Sequence, residues 1–186
     1  MLGLLASLLL SGSATSEGTH AAGEYYAVRS GSSWTYQAGR DTVLVQVSAV
    51  ENWQARMQLT WGKRSTGGSW RVKEGAWLEH LASRGAGESV LLPARLQVGT
   101  RWTGPASVER NAKDSSQYEV VALDATAEVP AGTYEKCLAV LETWSTGGNV
   151  LTHFWAPNVG KVGVKSNEEW VLKLVKYEAG RRLNGD

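Results

Sequence analysis

Outside its first ten residues, no stretch of the chain sustains an apolar repeat near 3.6 residues for three turns, whereas alternation with period two recurs from end to end. A helix needs the first pattern to bury one face, and a half-buried strand needs the second. The fold class that follows is all-β. Short strand-like runs succeed one another at close intervals, punctuated by Gly, Pro and Asn. The expected architecture is therefore an antiparallel meander curled into a barrel or half-barrel, with a two-sheet sandwich as the alternative.

The stretch from Val129 to Lys165 carries this pattern with least interruption. Pro130 and Gly132 mark a turn, and Tyr134 to Trp144 then extend. Gly147 and Gly148 suit a two-residue loop that needs φ > 0 at both central positions, Val150 to Trp155 return antiparallel, and Pro157, Asn158 and Gly160 close the unit. With that loop, Trp144 faces Leu151, Glu142 faces His153 and Val140 faces Trp155 on one side. Cys137, Ala139, Leu141, Thr143, Thr152 and Phe154 take the other side. Both faces are largely apolar, which predicts a central strand pair covered on both sides.

A second hairpin is expected over residues 56–73, turning at Gly67-Gly68. Its parity puts Met57, Leu59, Trp61, Trp70 and Val72 on a core face, and Arg56, Gln58, Thr60, Arg64, Arg71 and Lys73 on the other. The cations read as a solvated sheet face or as an anion-binding patch. Other strands are expected at 41–50, 74–81, 90–92, 163–166 and 169–177, with a long one at 117–129 bent or bulged near Asp124. Two short echoes suggest an internal duplication with an insertion in its second half. Gly31-x-x-Trp34-Thr matches Gly99-x-x-Trp102-Thr, and Ser65-Thr-Gly-Gly68 matches Ser145-Thr-Gly-Gly148.

A chain of 186 residues is long enough for one domain with a true core. The apolar run MLGLLASLLL is too short to span a bilayer and reads as a signal peptide over 1–14. Residues 15–24, small and polar, read as a flexible leader with a solvated His20; 25–178 form a single β-domain and 179–186 a tail. Location in a periplasm or outside the cell follows. Nineteen basic against 18 acidic residues give a net charge of +1 and no electrostatic case for nucleic acid. The only cysteine, Cys137, can form no internal disulfide, and its place in an apolar strand predicts burial.

The order Gly31-x-x-Trp34-x-Tyr36, Val98-Gly99-x-x-Trp102, Pro130-Ala-Gly-Thr-Tyr134 and Ala156-Pro157-x-Val-Gly160 resembles a pattern in uncharacterised exported β-rich bacterial envelope proteins, many of them lipoproteins. The resemblance implies an envelope location and a curved antiparallel sheet, and it brings no activity and no catalytic residues. Ser13 stands where a lipid-bearing cysteine would be.

Nine Trp and six Tyr beside a single Phe are the compositional oddity, because indoles serve cores and binding surfaces alike. Glu142 and His153 are the one carboxylate and imidazole that strand pairing brings together, and a buried carboxylate favours a charged imidazole. The pair reads as an ordinary cross-strand contact or as the polar base of an aromatic pocket with Trp144, Trp155 and Leu151. No catalytic signature, metal-ligand spacing or cofactor motif stands out. The leading expectation is a non-enzymatic envelope domain that binds a protein or surface polymer through sheet edges and Trp-bearing faces. A carrier of an apolar or amphipathic small ligand comes second, and an enzyme using Glu142 and His153 third.

Overall fold

Alternating segments become strands nearly everywhere the period of two predicts them. The structure, a computed structural model, describes residues 18–26, 28–84, 87–105, 115–145 and 150–181. The first half of the chain forms β1 (His20–Ala21), β2 (Ser33–Ala38), β3 (Asp41–Glu51), β4 (Gln54–Trp61), β5 (Arg64–Lys73), β6 (Ala76–Leu81) and β7 (Ser89–Leu92). The second half forms β8 (Arg95–Leu96), β9 (Arg101–Pro105), β10 (Ser115–Val129), β11 (Gly132–Trp144), β12 (Val150–Ala156), β13 (Gly160–Ser166) and β14 (Glu169–Glu178). Helical geometry among the described residues is limited to two short 3-10 turns, Ala22–Tyr25 and Ala82–Arg84. No helix among those residues is long and apolar enough to cross a membrane.

Twelve strands make one antiparallel sheet in the order β7-β6-β5-β4-β3-β2-β14-β13-β12-β11-β10-β9. Two six-stranded meanders, β2 to β7 and β9 to β14, are joined where β14 pairs with β2. The outermost strands β7 and β9 lie side by side without a ladder of hydrogen bonds between them. The sheet is thus nearly closed into a barrel, and the sandwich alternative falls away. The expected bulge near Asp124 is present, since the β10–β11 register shifts between Ala122 and Ala125 and on both sides of that step.

The two meanders begin alike. Gly31 (φ 83°) and Gly99 (φ 86°) both occupy the left-handed region that favours glycine. Gly31 N donates to Val47 O while Val47 N donates to Ser32 O, both at 2.9 Å. The second half repeats the device: Gly99 N donates to Val120 O at 2.8 Å, and Val120 N to Thr100 O at 2.9 Å. The Gly-x-x-Trp-Thr echo therefore marks equivalent first strands. The Ser-Thr-Gly-Gly echo does not mark equivalent places, because its first copy lies inside β5 and most of its second falls outside the described residues.

A barrel of twelve strands encloses more width than the eight-stranded kind that ordinary side chains fill. Indoles answer that need. Trp34, Trp70, Trp77 and Trp155 form a chain of edge-on contacts across the interior, with ring centroids 5.7, 5.5 and 5.2 Å apart. All four sit at the end holding the β3–β4, β5–β6 and β12–β13 turns, since neighbouring strands alternate in direction.

That end is capped by the segment read from sequence as a flexible leader, which is a correction. His20 and Ala21 pair with Arg95 and Leu96 of β8, and Asn158 N donates to Glu24 O at 2.9 Å. Ala22 and Tyr25 are buried, and Tyr26 meets Trp77 edge-on at 4.7 Å. Two tyrosines in sequence supply enough apolar area to hold the segment down, which its small polar neighbours disguised. His20 is not merely solvated, since its Nδ1 lies 2.8 Å from Glu24 Oε2.

The expected turn at Gly67-Gly68 is also corrected. β4 and β5 turn at Gly62-Lys63, with Trp61 opposite Arg64, and β5 runs straight through both glycines. Trp70 and Val72 keep the face predicted for them, whereas Arg64 moves to that of Trp61. Gly68 serves close packing: a Cβ there would lie 2.5 Å from His80 O and 2.9 Å from Leu81 Cδ2. A Cβ on Gly67 would meet nothing within 4 Å. Gly68→Val is expected to cost about 1–3 kcal/mol in urea unfolding and Gly67→Val less than about 0.5 kcal/mol. Equal losses at the two positions would contradict this packing. On the outer face Arg56 pairs with Glu51 and Arg71 with Glu88, as on a solvated surface.

Candidate interior binding site

The barrel interior holds a cavity of about 380 Å³. Its walls reach from the indoles of Trp34, Trp70, Trp77 and Trp155 to Ala38, Trp61, Pro105 and Leu151 at the opposite ends of their strands. Most of the lining is apolar, with Val43, Val45, Leu59, Val140 and Val164 between those limits. The polar exceptions include Glu79, His153, Lys161 and the phenol of Tyr118. A largely apolar chamber with a few placed polar groups is the usual form of a small-molecule site.

Glu142 and His153 meet, though not in the predicted register. β11 pairs with β12 so that Glu142 lies opposite Leu151, Val140 opposite His153 and Leu138 opposite Trp155. Each expected pair is thus displaced by two residues. An even displacement keeps every side chain on its predicted face, and a diagonal neighbour is still within reach of a long side chain. The last pair is Thr143 with Val150, so a two-residue loop does not follow directly on the ladder. Gly147 and Gly148 themselves lie outside the described residues. The strand pair is covered on both faces as expected, with Cys137, Leu138, Ala139, Val140, Phe154 and Trp155 all buried.

Glu142 is 0% exposed and His153 3% exposed. Glu142 Oε2 lies 2.7 Å from His153 Nε2, and Oε1 accepts from Ser116 Oγ at 2.8 Å. β10 and β12 flank β11, so both carboxylate oxygens are bonded from neighbouring strands. Burial, the charge of Lys161 and, in opposition, the Glu142 carboxylate together set the imidazole pKa, and the net effect lowers it to about 4. This reverses the expectation that the carboxylate would favour a charged ring: desolvation inside the sheet outweighs the single opposing charge. The neutral ring donates Nε2–H to Glu142 and keeps Nδ1 as an acceptor.

Of the residues singled out from sequence, Leu151, His153 and Trp155 line the cavity and Glu142 stands behind His153. Trp144 does not line it and pairs instead with Ser116 on β10. Sequence reasoning missed Trp34, Trp77, Trp102, Tyr118 and Lys161. Lys161 Nζ lies 4.6 Å above the Trp155 ring, its cross-strand partner, and Trp102 stacks on Tyr118 at 5.4 Å and 14°. The alternation places Trp34 and Trp102 inside, but their meeting with β12 depends on the closing of the barrel, which no local pattern encodes.

Cys137 is buried as predicted, and burial pushes its thiol up to about 11. Among the described residues no group of three or more His, Cys, Asp or Glu side chains is placed to hold a metal ion. Trp53 and Trp61, the most exposed indoles at 78% and 43%, stand at opposite ends of β4, and Trp61 Nε1 donates to Asp41 Oδ2 at 3.1 Å. No protein-family model, curated protein or solved structure matches the chain.

Proposed function

We propose that the protein is a non-enzymatic carrier that holds an apolar or amphipathic small molecule inside its barrel, working in the cell envelope or outside the cell. The supporting observation is the cavity of about 380 Å³ bounded by indoles and aliphatic side chains. Strands in an antiparallel meander bury one face, and here that face encloses space beyond what its side chains fill. Binding of a protein or surface polymer through Trp-bearing faces has less support, because the two most exposed indoles are separated by the length of β4. Chemistry at Glu142 and His153 would use the Nδ1 acceptor of a neutral ring, with no second group assigned to complete a proton transfer.

Titration with phenylnaphthylamine, which brightens in apolar surroundings, tests the reading. Saturable binding at one molecule per chain with a dissociation constant on the order of micromolar is expected. Val164→Phe, which places a larger ring on the β13 wall, is expected to weaken it at least about tenfold. A folded wild-type protein that shows no saturable binding would exclude the carrier.

A further inference from the structure

We infer that the occupant of this cavity is an uncharged molecule with a hydroxyl group, which donates to Nδ1 of His153 from within the chamber. The inference rests on the carrier reading and adds the chemistry by which the wall recognises its guest.

His153 belongs to the wall, although only 3% of its surface is exposed. Its Nε2 is taken by Glu142 at 2.7 Å, whereas Nδ1 has no hydrogen-bond partner among the described residues. The indole N–H groups of Trp77 and Trp102 are also without partners, but they are fully enclosed and out of a guest's reach. Nδ1 is not enclosed in that way, and on a wall residue the surface it keeps opens on the chamber. Burial and the charge of Lys161 keep the ring neutral, so Nδ1 presents a lone pair rather than a second proton. Glu142, itself 0% exposed, fixes that tautomer by accepting Nε2–H, and the bond polarises the ring toward a stronger acceptor at Nδ1.

The charges on the same wall are already answered. Glu79 accepts from Trp70 Nε1 at 2.9 Å, and Lys161, 4.6 Å above the Trp155 ring, is engaged within the protein as well. A carboxylate head group would give up its water for a wall whose cation is in use, and would turn its lone pairs on that of Nδ1. An ammonium can donate to Nδ1, but it would lose its hydration among carboxylates already bonded and beside a lysine whose charge reaches His153. An ether or a ketone brings no donor. A hydroxyl costs less to desolvate than either ion and supplies the proton that Nδ1 lacks. Val140 and Val164, the partners of His153 on β11 and β13, are apolar wall residues and suit an apolar body around that hydroxyl.

Displacement of bound phenylnaphthylamine by dodecanol, its methyl ether, dodecanoate and dodecylammonium separates these cases. The ether is the more apolar of the two neutral compounds, so burial of area alone ranks it above the alcohol. Dodecanol is instead expected to displace the probe at a concentration at least about tenfold lower than the ether, with both ions weaker than the alcohol. His153→Phe keeps a ring in the wall and removes the acceptor, so it is expected to erase the advantage of the alcohol. Adding Glu142→Leu removes the whole pair without stranding a carboxylate, and the double variant is expected to rank the compounds as His153→Phe does. Thermal unfolding of each variant shows that it is folded before it is scored. In the wild-type protein the nitrogen resonance of His153 Nδ1 is expected to move upfield with dodecanol and to stay in place with the ether. If the ether displaces the probe as well as the alcohol does, if either ion does better, if the alcohol keeps its advantage in a folded variant, or if the resonance does not tell the two neutral compounds apart, the hydroxyl inference is overturned and the carrier stands. If the probe does not bind, or none of these compounds displaces it, both are overturned.

Discussion

Glu142→Ala is expected to destabilise the protein by about 3–5 kcal/mol, the cost of leaving two buried donors without their acceptor and of the space opened beside them. The carboxylate is 0% exposed, and its two oxygens meet Ser116 on β10 and His153 on β12. Alanine leaves the hydroxyl and the imidazole N–H buried without their acceptor and opens space at the centre of the sheet. Glu142→Gln keeps an acceptor oxygen for His153, and its amide can donate to Ser116, so its loss is expected near 1 kcal/mol. Urea unfolding of both variants measures the difference. A loss below about 1 kcal/mol for the alanine variant would show that the contact is incidental to stability.

Acid is expected to weaken the protein before its carboxylates titrate. The His153 imidazole, ordinarily near 6.5, is held down to about 4 by burial and by Lys161, against the pull of Glu142. Above pH 6.5 neither the folded nor the unfolded chain protonates this ring, and its contribution is at full value. As pH falls from 6.5 toward 4 the unfolded chain takes up a proton that the folded chain refuses. Stability is lost across that window, by about 3 kcal/mol at full extent. Glu24 and Glu178 are held below the ordinary carboxylate value, so their contributions fade only at lower pH. His153→Gln is expected to flatten the stability profile between pH 6.5 and 4.5 while lowering the plateau. A wild-type profile already flat there would mean that the ring is charged in the folded state.

The strands were legible because alternation depends only on which face is wet. The same logic fixed the faces of β11 and β12 correctly even though their register is displaced by two residues, for parity survives an even slip and distance along the strand does not. Glycine pairs were the weaker guide. A turn and a close approach of two chains both ask for a residue without Cβ, and Gly68, pressed against His80 and Leu81, belongs to the second kind. The contact of Glu142 with His153 could be read locally, because a single hairpin makes it. The chamber could not. Trp34 and Trp77 come from the first meander and Trp155 from the second, so the site exists only once β14 has found β2.

The seam between β7 and β9 gives the ring of strands one break in its lattice of amide bonds. Val90 on one side of it and Trp102 and Pro105 on the other all border the chamber. Parting any other neighbours among the twelve would sacrifice a row of N–H···O=C bonds together, whereas among the described residues no such row joins these two. Expansion of the interior to admit a bulky guest is therefore cheapest along this line, and the barrel behaves mechanically as a split cylinder rather than a sealed tube.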